Sequence, residues 1–142
     1  MNARPALILA STSRYRRELL GRLCLPFECH APAVDDTPWP SETPEQLCRR
    51  LSAAKADAIA EACPEAWVIG SDQVAELDGQ LIGKPLLRAQ SHQQLSAASG
   101  RCMRFHTGLS VIQRASGRRA LHVEVTDVRF RELSATMIDN YL

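Results

Sequence analysis

The chain has 142 residues, 45% hydrophobic and 23% charged, with a formal net charge of +1 at pH 7. That length supports one domain with a real core, and so small a net charge argues against a dedicated duplex DNA binder, whose domains are usually strongly basic. The five cysteines (Cys24, Cys29, Cys48, Cys63, Cys102) are odd in number and lack a C-x-x-C pair, and with only four histidines they argue against structural zinc. No signal peptide or membrane-length apolar run is read. Free cysteines without a secretion signal predict a reducing cytoplasm.

In chain order, Leu7–Ala10 reads as a short buried strand. Three hydroxyls follow at Ser11, Thr12 and Ser13, then Arg14, Arg16 and Arg17. Tyr15, Leu19, Leu20 and Leu23 recur at helical spacing, predicting a helix to about Cys24 with Ser13 as N-cap. A helix N-terminus carries partial positive charge, so cations in its first turn are unfavourable by about 0.3–1 kcal/mol each. Their placement there points to something anionic opposite. Residues 26–28 predict the start of a second short strand. Residues 32–44 hold four of the eight prolines among acids and hydroxyls, and loops of that length are often functional.

Thr43 as N-cap, Pro44 at the first helical position and Gln46 completing T-x-x-Q predict a second helix. Its expected buried stripe is Leu47, Leu51, Ala54, Ala58, Ile59 and Ala62, with Lys55 beside it, and Cys63-Pro64 stops it. Trp67–Leu77 reads as a strand, Asp78-Gly79 as a type I′ turn and residues 80–83 as the returning strand. Residues 88–99 predict a helix closed by Gly100. Residues 103–113 and 120–131 predict two longer strands joined around Ser116-Gly117. A final helix starts at Ser134, with Ile138, Tyr141 and Leu142 on one face. That face meets no partner further along the chain, which predicts a domain missing its C-terminal portion. Alternating strands and helices predict an α/β domain.

Several residues could carry chemistry. The hydroxyl-and-arginine turn offers backbone N–H groups, hydroxyls and guanidinium forks, all suited to phosphate oxygens. It lacks the glycines of a Walker A loop. The plainer alternative is a capped surface helix with solvated arginines. Asp72, in W-V-I-G-S-D-Q-V-A, is costly inside an apolar strand unless paired, metal-bound or facing a cleft. An ionised aspartate there suits cation binding or the orientation of water, against the alternative of a strand-end acid bonded to nearby backbone. Lys84, in I-G-K-P, sits on a fixed turn within reach of that strand. Lys55 either joins it or snorkels along its helix. Asp35 and Asp36 could help hold a metal, or are simply solvated. Together these groups suit a triphosphate with Mg²⁺, which takes one or two carboxylates plus phosphate oxygens and water. By themselves they support a phosphate-ester or anhydride hydrolase.

The order of these pieces adds a resemblance. A-S-T-S-x-x-R-R-E-L-L at 10–20, A-K-A at 54–56, G-S-D-Q-V at 70–74 and G-K-P at 83–85 resemble the Maf family of nucleoside triphosphate pyrophosphatases. S-G at 99–100, T-G at 107–108, T-D-V-x-F at 126–130 and I-D-N-Y at 138–141 continue the match in order. The resemblance implies an elongated mixed α/β sheet flanked by helices with a central cleft, one Maf-like domain over residues 1–142, incomplete at its C-terminal end. It implies a cytoplasmic enzyme that cleaves between the α and β phosphates with a divalent cation, Mg²⁺ or Mn²⁺, acting on a nucleoside triphosphate substrate. It implies neither a nucleic-acid nor a membrane partner, and a homodimer.

By position, Asp72 matches the general base, and Ser11, Arg16, Lys55 and Lys84 match phosphate-site residues. Ser13 lies in the same turn, and Asp36 is the metal candidate. Many members have arginine where this chain has Tyr15 and threonine where it has Gln73. An aromatic residue and glutamine there resemble the branch acting on 7-methyl-GTP. N7-methylation makes guanine cationic, and an aromatic face attracts a cation by about 0.5–2 kcal/mol. Members usually continue past I-D-N-Y into a glycine-rich segment that completes the cleft, so a chain without it is expected to bind poorly, fold poorly or be inactive. The alternatives are a dTTP or UTP pyrophosphatase of the same family and a non-catalytic nucleotide-binding regulator of cell division.

Overall fold

The computed structural model describes residues 6–142. The first five residues, part of the stretch in which no signal peptide is read, lie outside the described residues. Ten elements follow one another. They are β1 (Leu7–Ala10), α1 (Arg14–Gly21), β2 (Glu28–His30), α2 (Pro44–Ala62), β3 (Trp67–Leu77), β4 (Gln80–Ile82), α3 (Arg88–Ala98), β5 (Cys102–Gln113), β6 (Arg118–Arg129) and α4 (Ala135–Tyr141). The six strands form one mixed sheet in the order β2-β1-β3-β5-β6, with β4 paired to β3. β2, β1 and β3 run parallel, while β4, β5 and β6 join antiparallel.

Local chemistry sets most boundaries. The Ser13 hydroxyl accepts the Arg16 N–H and starts α1 as expected. α1 ends at Gly21, sooner than predicted, and Cys24 turns the chain at φ +55°. β2 begins at Glu28, two residues after Pro26, and pairs with Ile8 to Ala10 of β1. Thr43 and Gln46 form the reciprocal capping box at the start of α2. Asp78 and Gly79 both have positive φ, as a type I′ hairpin between β3 and β4 requires.

α2 is the central packing element, and here the predicted stripe needs correction. Its buried residues are Leu47, Cys48, Leu51, Ser52, Ala56 and Ala60, whereas Ala54, Ala58 and Ile59 are half-buried and Ala62 is exposed. The sheet supplies the cause. A Cβ at Gly70 would lie well inside 3.0 Å of the Ser52 carbonyl oxygen and the Ala56 nitrogen, and one at Gly108 would strike the Ser52 hydroxyl. Two glycines thus let the small-residue face of α2 settle directly on β3 and β5. Ile8, Ala10, Val68 and Ile112 close around Ala56 and Ala60, and Val74 packs with Leu47, Cys48 and Leu51. Burying a side chain such as Val68 contributes roughly 1.5–3 kcal/mol. A smaller core of Leu77, Ala98 and Met103 joins α3 to the sheet. Of the face predicted on α4, Ile138 is buried but Tyr141 is 80% exposed. No helix among the described residues is long and apolar enough to cross a membrane, and all five cysteines are free thiols.

Candidate functional site

β1 lies between β2 and β3: the chain runs from β1 through α1 to β2 on one side, then returns from β2 through α2 to β3 on the other. In open α/β sheets the crevice at such a reversal, outside the carboxyl ends of the strands, is where ligands bind. The register sharpens this. β1 covers Trp67 to Gly70 of β3, and β4 begins its pairing only at Ala75. Residues 71–74 of β3 therefore have a strand partner on the β5 side alone. Asp72 and Gln73 stand in that gap.

A cleft of about 470 Å³ opens there, within the size range of small-ligand pockets. Its charged wall is Arg16 from α1, Lys55 from α2, Lys84 after β4, and Asp72 with Gln73 from β3. Its apolar wall includes Ile82, Met103, Phe105 and Phe130, with Tyr141 at the rim. The cleft thus presents three cations and one acidic side chain, a field suited to an anion larger than a single carboxylate.

Asp72 is 9% exposed, so its charge needs a partner. Lys55 provides it, with Nζ 2.8 Å from Oδ1, and the same ammonium lies 3.5 Å from the Ser71 carbonyl oxygen. The Cys48 thiol lies 3.4 Å from the carbonyl oxygens of Asp72 and His106, so its single S–H is shared between them. Burial, with the Asp72 charge adding, pushes this thiol up to about 11. The Ser71 hydroxyl donates to the Gly108 carbonyl at 2.7 Å, which fixes β3 and β5 behind the acid. The Gln73 amide N–H donates to the Thr107 hydroxyl at 3.2 Å, leaving its carbonyl oxygen free to accept.

The hydroxyl turn is more specialised than its composition suggested. Ser11 Oγ accepts the Ser13 N–H at 3.0 Å, and Ser13 Oγ accepts the Arg16 N–H at 3.3 Å. Both hydroxyls act as acceptors within the turn and keep their own protons for donation. Of the three arginines, only Arg16 lines the cleft; Arg14 reaches Glu18 at 3.1 Å, one turn along the helix. Tyr15 is 79% exposed and does not line the cleft.

Asp36 is exposed and is likewise absent from the cleft wall. Its neighbour Asp35 accepts the Thr37 hydroxyl at 2.6 Å and the Thr37 N–H at 3.0 Å, and these bonds hold its carboxyl below the usual range. The described residues contain no cluster of three or more His, Cys, Asp or Glu placed to hold a metal. The sequence reading gave Cys48 and Thr107 no role at the site because their partners lie 24 to 58 residues away.

The fold is an α/β architecture shared with two solved structures of 14–15% sequence identity. The Ham1 protein of Staphylococcus aureus superposes with a TM-score of 0.62, covering 86% of this chain and 70% of that one. A HAM1 protein from Coxiella burnetii gives 0.58, covering 87% and 71%. Within that architecture, a family model described as Maf-like protein matches residues 6–142. The 7-methyl-GTP pyrophosphatase of Xanthomonas oryzae pv. oryzae (strain MAFF 311018) is 53% identical over 139 residues, spanning 97% of this chain and 72% of its own length. That of Xanthomonas campestris pv. campestris (strain 8004) is 53% identical over 138 residues, at 97% and 71%. The chain belongs to the Maf family and is a hydrolase of that class.

Proposed function

We propose that the chain hydrolyses a nucleoside triphosphate between the α and β phosphates, and that 7-methyl-GTP is its substrate. The observation that carries this reading is the convergence of Arg16, Lys84 and the Lys55–Asp72 pair on one cleft beside the N-terminus of α1. The names of the two Xanthomonas relatives supply the nucleotide. The triphosphate lies along Arg16 and Lys84, with the N–H groups and hydroxyls of residues 11–13 as further donors.

Asp72 takes a proton from a water, whose oxygen attacks the α phosphorus. The bond from that phosphorus to the bridging oxygen breaks, and pyrophosphate leaves with the bonding pair. Lys55 keeps the carboxylate in place and adds positive charge where negative charge develops. A divalent cation bound with the substrate supplies further charge neutralisation on the phosphates. Asp72, the one acidic side chain among the cleft-lining residues, suits a cation that takes its remaining ligands from phosphate and water. Gln73, through the acceptor that Thr107 leaves free, is placed to read donors on the base. Tyr15, exposed on α1 outside the cleft wall, is proposed to meet the cationic ring where the base projects beyond that wall, and a copy of the chain is the expected partner.

The test is pyrophosphate release from 7-methyl-GTP, GTP, dTTP and UTP with Mg²⁺ or Mn²⁺. Preference for 7-methyl-GTP supports the full reading. Preference for dTTP or UTP keeps the reaction and removes the branch. Nucleotide binding without turnover of any of the four overturns the enzymatic reading.

A further inference from the structure

Of the three cleft cations, Arg16 and Lys55 stand on helices, whereas Lys84 stands on the connection 83–87 between β4 and α3. That connection is exposed along its length. A lysine stem has many rotamers, and a loose backbone beneath it would add to the freedom lost each time a phosphate is held. Where Lys84 stands therefore depends on what holds the connection.

Two glutamines of α3 hold it. Gln90 Oε1 accepts the Leu86 N–H at 2.8 Å and the Leu87 N–H at 3.3 Å. Leu87 is the N-cap of α3 and has no side-chain acceptor, so Gln90 serves the start of the helix. Gln94 follows one turn later on the same face, and its Nε2 donates to the Gly83 carbonyl oxygen at 2.7 Å. The cap of α3 does not need that bond. Gly83 is exposed, so water would satisfy its carbonyl without Gln94. What the bond adds is a fixed place for the residue immediately before Lys84. Pro85, immediately after it, has its φ set by the ring.

The frame behind Gln94 is well anchored. Ala98, near the end of α3, is fully buried and packs with Leu77 of β3 and Met103 of β5. Gln94 itself is half-buried and lines the cleft together with Lys84. A short path thus ties the lysine, through Gly83, Gln94 and Ala98, to the strand that carries Asp72.

We infer that Gln94 is a positioning residue for Lys84: its amide holds the Gly83 carbonyl so that the ammonium meets a phosphate from a backbone already in place. This rests on the proposed phosphate-binding role of Lys84, and it assigns Gln94 no contact with the phosphates.

The test is binding of inorganic triphosphate, which carries the phosphates without base or sugar, followed by titration calorimetry on the full chain. Gln94→Leu and Gln94→Met keep bulk and helix preference but cannot donate. Each should weaken binding about fivefold, the usual worth of one hydrogen bond. Lys84→Ala should weaken it about tenfold or more, because a charged donor is lost. With Lys84→Ala already present, Gln94→Leu should change binding by less than about twofold, since the side chain it positions is gone. A purely structural Gln94 would instead cost the same factor with or without Lys84. Equal losses in the two backgrounds therefore overturn the inference. Gln94 variants that bind as the parent chain does, while Lys84→Ala binds more weakly, overturn it and leave the reading of Lys84 intact. Parent-like binding by Lys84→Ala removes that lysine from the phosphate site, and the role of Gln94 falls with it.

Discussion

Lys55 Nζ and Asp72 Oδ1 lie 2.8 Å apart, one from the middle of α2 and the other from the unpaired gap of β3. This pair joins the packing of the fold to its proposed chemistry. Asp72→Asn keeps the shape but removes the base, so pyrophosphate release should fall 10²- to 10⁴-fold, roughly the range of general-base catalysis. Lys55→Ala strands a nearly buried carboxylate. Breaking a fully buried pair costs about 3–5 kcal/mol, but the Lys55 side chain is 18% exposed and water can partly replace it. A loss of about 1–3 kcal/mol in urea unfolding is expected, together with lower kcat. Wild-type turnover by Asp72→Asn would remove that residue from the mechanism.

The two glycines under α2 should differ in their tolerance of a methyl group. At Gly70 the obstacles are backbone atoms of Ser52 and Ala56, which cannot move without shifting the helix. At Gly108 the nearest obstacle is the Ser52 hydroxyl, a side-chain atom that can rotate. Overpacking a core costs about 1–3 kcal/mol, and Gly70→Ala should sit at or above the top of that range, with Gly108→Ala below it. Gly70→Ala should also reduce activity, because Lys55 rides on the displaced helix. Equal unfolding midpoints for the two variants would contradict this account.

Cys48 should be chemically silent near neutrality. Its thiol is raised by burial from the ordinary 9.0 to about 11, and thiolate is the reactive form. Native-state alkylation should label the exposed Cys24, Cys29 and Cys102 well before Cys48. The sign of the linkage follows from the same shift. Between pH 9 and about 11 the folded chain binds this proton more firmly than the unfolded chain does, so stability falls as pH rises through that window. Cys48→Ala should flatten that part of the pH–stability curve, and a slope unchanged by the substitution would count against it.

Thr107 should matter to base discrimination although it lies on β5 and not in the cleft wall. Its hydroxyl accepts from the Gln73 amide and so decides which end of that amide faces a ligand. Thr107→Val removes one exposed hydrogen bond, worth about 1 kcal/mol or roughly fivefold. The ratio of kcat/KM for 7-methyl-GTP over UTP should narrow by about that factor, with folding stability lowered by no more than about 1 kcal/mol. An unchanged ratio would remove Gln73 orientation from the specificity argument.

Much of the fold was legible because its signals are local. The bounds of β3, the positive-φ hairpin at Asp78-Gly79 and the caps at Ser13 and Thr43 rest on residues a few positions apart. The α2 stripe was misread for a physical reason. An alanine-rich helix gives little contrast between its faces, and the deciding residues, Gly70 and Gly108, are on strands far along the chain. Ser52 reads as polar and is fully buried because those glycines leave room for it and nothing larger.

The amino-acid sequence by itself determined the elements, the phosphate-friendly turn after β1 and the unusual aspartate in β3, since each depends on neighbouring residues and backbone preference. Tertiary structure alone decided which charges meet. Arg16 turns into the cleft while Arg14 is drawn to Glu18, and Lys55 reaches Asp72 across 17 residues. Those choices follow from the β1–β3 switch point and the gap in β3 pairing, which exist only once distant strands have taken their register.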